Sequence, residues 1–94
     1  MKFLFLLLLS LNVQAGLFDF FSIYQANKAF DNQDYKLASE KFSSINNDTA
    51  RLNQANSLYK QGLYEKSLKQ YQAIKRPDLS FDRLYNSGNA YVKS

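Results

Sequence analysis

Two stretches of this chain are versions of one another: ANKAFDNQDYKLASEKFSSI, residues 26–45, and ANSLYKQGLYEKSLKQYQAI, residues 55–74. Set 29 residues apart, they pair Ala26-Asn27 with Ala55-Asn56, Tyr35 with Tyr64, Ala38 with Ser67, Phe42 with Tyr71 and Ile45 with Ile74. Gly88-Asn89 repeats the first pair again, 33 residues further on, and there Tyr59-Lys60 falls on Val92-Lys93. Within each stretch the apolar positions recur every three or four residues, the period of a helix face rather than a strand. A period near 30 built from helix pairs indicates a helical repeat array, in which each unit buries its apolar face against the next.

Working outward, the apolar stripes and their breaks predict five helices of about 11 to 15 residues, near the usual globular length. Asn32-Gln33-Asp34 separates the first two, with Asp34 placed to cap the second. Asp48 or Thr49 is expected to cap the third. Gly62 suits the left-handed turn that ends the third helix, and Pro77 cannot continue the fourth. Short turns between helices make sequence neighbours antiparallel. The aromatics Tyr35, Phe42, Tyr64 and Tyr71 are expected to fill the space between helix layers as core. The small residues Ala26, Ala55 and Gly88, facing Ala38 and Ser67, are expected to let paired helices approach closely. Gly88 in mid-helix costs about 1 kcal/mol against Ala in propensity, for which close packing is the expected compensation.

Ahead of the repeats stands MKFLFLLLLSLNVQA, with one positive charge at Lys2 and an apolar run from Phe3 to Leu11. Its Val13-Gln14-Ala15 end suits signal peptidase, and the run is shorter than the roughly 20 apolar residues of a membrane span. Residues 1–15 are therefore read as a signal peptide, and the exported chain is expected to start at Gly16. Residues 16–21 form an apolar segment, and 22–94 the repeats, at about 22–47, 48–78 and an incomplete 79–94. The cluster in GLFDFFSIY, residues 16–24, is expected to pack over the first repeat, with a membrane surface or a partner as the alternatives.

The net charge of +4, which becomes +3 without Lys2, is spread thinly, and Lys75-Arg76 is the sole basic pair. That distribution argues against nucleic acid, whose binders gather their Lys and Arg on one face. The chain has no Cys and no His, so thiol nucleophiles, imidazole bases and the usual zinc ligands are excluded together, as is any disulfide. Three scattered glycines make no phosphate loop, and no pair of carboxylates shares one helix face in an otherwise apolar site. No catalytic residue, cofactor or metal is expected.

Several of these residues resemble a known family. Leu84-x-x-Ser87-Gly88-x-x-Tyr91 looks like the first helix of a tetratricopeptide repeat. Ser67-x-x-x-Tyr71 and Ala38-x-x-x-Phe42 resemble its second helix, and Asn56 to Leu68 is close to the turn such repeats use between helices. The resemblance covers about Ser22 to Ser94. The family's first-helix aromatic is replaced by Ser22, Arg51 and Leu84. The first spacing of 29 falls short of the usual 34 or so, so the second helix of the first repeat, or its linker, is clipped by more than a turn. Signal peptide, clipped repeat and the YNxGNA opening together are similar to the repeat regions of exported bacterial aerotolerance (Bat-type) proteins, which accompany von Willebrand A-type domains.

What the resemblance implies is an all-α array of helical hairpins, two pairs plus the first helix of a third, acting in protein–protein interaction in the periplasm. It implies a protein or peptide partner, a von Willebrand A-type domain protein among the candidates, and no more than peripheral contact with membrane. The first helices would line a concave groove, with Asn27, Asn56 and Asn89 as a ladder of amides, Lys60 and Lys93 one turn on, and Phe30, Tyr59 and Val92 as apolar ground. Amides both donate and accept, so such a ladder can pair with a peptide backbone, and two lysines favour an acidic segment or a terminal carboxylate. Gly88 is expected to await a neighbour this chain does not supply, leaving Leu84, Tyr91 and Val92 uncovered. Either a longer parent protein or self-association through residues 84–94 would cover them.

Overall fold

In a computed structural model, the structure describes the backbone of residues 2–93 and the side chains of residues 16–93, Phe81 excepted. All regular structure among the described residues is helical. The helices are α1 (Lys2–Asp31), α2 (Tyr35–Ser43), α3 (Asp48–Lys60), α4 (Tyr64–Gln72) and α5 (Ser80–Lys93), with a 3₁₀ turn at Pro77–Leu79. Each helix packs on the next in sequence, and α3 also touches α5. The breaks fall where the sequence places them, but the lengths differ from expectation: α2 and α4 have nine residues each, whereas α1 has 30. The expected cleavage point between Ala15 and Gly16 falls within α1.

Helix ends follow local chemistry. The Asp34 side chain accepts from the Leu37 amide at 3.3 Å and caps α2. At α3 the cap is neither Asp48 nor Thr49 but Asn47, whose extended backbone lets its side chain accept from the Ala50 amide at 2.8 Å. Both turns between paired helices pass through the left-handed region, at Gln33 (φ 63°) and Gly62 (φ 79°), again 29 residues apart. Gly takes that conformation without steric cost. The shortened first spacing is also located. With α2 and α4 equal in length, three of the four missing residues lie in the linkers, residues 44–47 against residues 73–79.

Asp48, released from capping, ties the start of α3 to the far end of α4. Its carboxylate accepts the Lys75 and Arg76 amides at 3.0 and 2.9 Å, and the Arg51 guanidinium at 2.8 Å. The Lys75 amide bond above all, with the Arg76 amide and Arg51, holds its carboxyl below the usual range. A depressed carboxylate stabilises the fold fully above its unfolded pKa near 3.8 and ceases to do so as pH falls through the lower folded value. Asp48→Ala is therefore expected to flatten part of the acid-induced loss of stability that sets in as pH falls below about 4. At neutral pH it should speed hydrogen exchange at Lys75 and Arg76, and unchanged protection of those two amides would contradict the assignment.

Two apolar clusters hold the helices. One joins Ala26, Ala29, Ala38, Phe42, Ile45 and Ala50; the other joins Leu52, Ala55, Tyr71, Ile74 and Ala90. The small residues act as expected within both hairpins: Ala26, Ala38, Ala55 and Ser67 are fully buried, and Ser67 Oγ donates to the Ala55 carbonyl at 3.0 Å. At Gly88, expected to await a neighbour that this chain does not supply, an added Cβ would meet nothing within 4 Å among the described residues. Among the described side chains of α5, Ala90 is the one fully buried, while Leu84 and Val92 (83 % exposed) face outward.

Of the four aromatics expected in the core, Phe42 and Tyr71 are buried, and Tyr35 and Tyr64 are half-buried. Each of the latter stands edge-on to a ring across its turn, Phe30–Tyr35 at 5.1 Å and Tyr59–Tyr64 at 5.3 Å. The cluster at residues 16–24 departs furthest from expectation. Leu17, Phe18, Phe20 and Phe21 do not pack over the first hairpin, and Phe18 is 69 % and Phe20 63 % exposed. Among the described residues no helix is long and apolar enough to cross a membrane.

Candidate functional site

Four helices close around a cavity of about 270 Å³. Phe30 comes from the end of α1, Asn56, Tyr59 and Lys60 from α3, Tyr71 from α4, and Asn86 and Asn89 from α5. The helical period places these side chains together: Asn56, Tyr59 and Lys60 stand at i, i+3 and i+4 on α3, and Asn86 and Asn89 at i and i+3 on α5. The two edge-on ring pairs hold Phe30 and Tyr59 at the cavity wall.

The polar side of the cavity is organised by a buried phenol. Tyr71 is 1 % exposed, and burial pushes its hydroxyl up to about 12, so it stays protonated. A buried phenol needs a hydrogen-bond partner, and this one donates to Asn56 Oδ1. Asn86 Nδ2 donates to the same oxygen at 3.0 Å. With Oδ1 taking both bonds, the free end of the Asn56 amide is Nδ2, a donor with two protons that α4 and α5 hold in one orientation. Lys93 joins from the end of α5, its Nζ 5.5 Å from the centre of the Tyr59 ring, within cation–π range. The site thus offers oriented amides, two exposed ammonium groups and aromatic ground.

Of the six residues expected from sequence, Asn56, Tyr59, Lys60 and Asn89 line this cavity, and Lys93 reaches it through the Tyr59 ring. Asn27 does not. It lies with Phe42 and Asn53 in a second cavity of about 220 Å³. The two cavities correspond, since Asn27, Phe42 and Asn53 stand where Asn56, Tyr71 and Asn86 stand in the first. At the corresponding position the two differ by one oxygen atom: Phe42 has no hydroxyl with which to hold Asn27. Val92, expected as apolar ground, points to solvent.

Two contributors escaped the sequence reading. Asn86 was legible as a second amide one turn before Asn89 on the same face. Tyr71, read as filling alone, was legible as the position where the second stretch adds a hydroxyl to the Phe42 of the first. Among the described residues no three His, Cys, Asp or Glu side chains gather as a metal would require. No family model, no curated protein and no solved structure matches this chain.

Proposed function

We propose that this chain is a tetratricopeptide-like interaction module, exported to the bacterial periplasm, that holds an extended peptide or a partner's helix across the Asn56 cavity. The observation that carries this reading is the Asn56 amide, oriented by Tyr71 and Asn86 and flanked by Lys60, Asn89 and Lys93. Fixing a side-chain amide in advance spares a peptide backbone the cost of ordering it. Two ammonium groups beside it favour an acidic segment or a terminal carboxylate. The mechanism is binding: the amides pair with backbone groups, the rings cover apolar side chains, and the lysines set charge preference. A von Willebrand A-type domain protein of the same envelope is the partner class that the sequence resemblance favours.

The test is capture from an envelope extract, with wild-type protein beside Asn56→Ala, Lys60→Ala and the double variant. Lys60 is exposed, so its replacement leaves the fold intact and reports on binding alone. Loss of one charge-assisted hydrogen bond is expected to weaken capture roughly tenfold, and the double variant more. Equal recovery of the same partners by all four proteins would defeat the groove reading. Loss only on replacing Leu84 and Val92 would move the interface to the outer face of α5.

A further inference from the structure

The exposed apolar cluster in the second half of α1, residues 17–24, has an orientation that packing among the described residues does not explain. At 3.6 residues per turn, successive residues turn by about 100° around the axis. The side of α1 that packs on α2 carries Ala26 and Ala29, and that same stripe continues backwards through Ser22 and Asp19. Ile23 turns toward Phe42 and Ile45, and the other apolar residues take the opposite side. Leu17, Phe21 and Tyr24 stand at i, i+4 and i+7 on a line facing away from the hairpin, with Phe18 on one flank and Phe20 on the other. All five are at least half exposed. Asp19 is the only charged residue between 17 and 27, and it sits on the hairpin side. Further along the outward line comes Lys28, exposed on the turn after Tyr24, with Asp31 beyond it.

The surface is convex and wide. Phe18, Leu17, Phe21, Tyr24 and Phe20 together sweep about 160° of the helix, wider than the roughly 100° stripe by which a helix packs on a protein core. A fluid apolar medium covers such an arc more readily than a protein groove does. The order along the line, apolar rings, then a tyrosine, then a lysine, matches the sequence of environments from acyl chains through the interface to the phosphates.

We propose that residues 17–24 form an interfacial lipid anchor, in which α1 inserts Leu17, Phe18, Phe20 and Phe21 obliquely among acyl chains, with Tyr24 at the interface and Lys28 against anionic headgroups. The polar stripe of Asp19 and Ser22 remains toward water. The Asn56 cavity, more than a helical turn beyond Tyr24 and built mainly from α3, α4 and α5, stays clear of the bilayer. The proposal does not depend on the groove reading.

The test uses the chain beginning at Gly16, the expected exported form; among the described side chains every buried apolar residue lies at position 26 or beyond and is retained. Circular dichroism and a cooperative thermal melt check that it is folded. Flotation with vesicles of phosphatidylethanolamine and phosphatidylglycerol is compared for the wild-type sequence and for Phe18→Gln, Phe20→Gln, Phe21→Gln combined. Each ring contributes on the order of tenfold to partition, so the triple variant is expected to lose at least about a hundredfold with an unchanged melt. Lys28→Gln is expected to weaken binding severalfold on these anionic vesicles and to leave binding to pure phosphatidylcholine unaltered. Absence of flotation, equal flotation of the triple variant, or a lipid-free dimer that the triple variant abolishes would each overturn the anchor.

Discussion

Replacing Tyr71 by Ala is expected to cost about 3–5 kcal/mol, the range for truncating a buried aromatic. A domain of this size holds on the order of 4–12 kcal/mol in total, so the variant should melt far below wild type or fail to fold at all. The size follows from position. The ring is 1 % exposed within the cluster formed by Leu52, Ala55, Ile74 and Ala90, where α3, α4 and α5 meet. Truncation would open a void that three helices share, and none of them can move to fill it without leaving its other contacts. Tyr71→Phe separates the two roles of this residue. It keeps the ring and removes the hydroxyl, a loss of about 1 kcal/mol in stability. It also deprives Asn56 Oδ1 of one donor, so it should weaken partner binding by more than the small shift in melting temperature accounts for. Equal binding by Tyr71→Phe and wild type would show that the phenol is core and nothing else.

Ala55→Leu is the second large effect. Ala55 is fully buried at the centre of α3, and Ser67 Oγ holds α4 against its carbonyl at 3.0 Å. A larger side chain here cannot turn toward solvent, because α4 lies on one side and the α5 contact on the other. The helices must separate, which breaks the Ser67 bond and strains the neighbouring rotamers. A cost of at least about 3 kcal/mol is expected, at the upper end for overpacking. Gly88 supplies the contrast. It stands at the corresponding place in α5, yet an added Cβ there meets nothing, so Gly88→Ala should leave stability unchanged or raise it by roughly the helix-propensity difference of about 1 kcal/mol. Chemical denaturation of the two variants side by side tests the pairing. A mild effect at 55, or a severe one at 88, would mean that the close approach has been placed in the wrong hairpin.

The helical pattern was legible because it rests on local physics. Asp34 could be recognised as a cap, Gly62 as a left-handed turn and Pro77 as a break, each from the conformations its own backbone permits. The third cap shows where such reading stops. Asn47, Asp48 and Thr49 are all competent N-caps, and the choice fell on Asn47 because Asp48 is held by amides 27 and 28 residues away. No local rule weighs a contact at that distance. The candidate site divides in the same way. Asn56, Lys60 and Asn89 could be found from their repeat in register. That Asn27 is left out, and that Asn86 is brought in, depends on which side chains α4 and α5 carry to α3.

By itself, then, the sequence determined an all-helical class, the places of the turns between helices, and the small residues at which α1 meets α2 and α3 meets α4. Periodicity and backbone permission are properties of a few neighbouring residues, and they are written wherever those residues occur. Tertiary structure alone decided that Tyr71 fixes the Asn56 amide, that Asp48 ties two helix ends, and that Asn27 stands apart from the Asn56 cavity. It also turned the apolar cluster at residues 17–24 away from the hairpin it was expected to cover. Each of these depends on what stands opposite a helix face, and a repeating pattern gives the face without naming its neighbour.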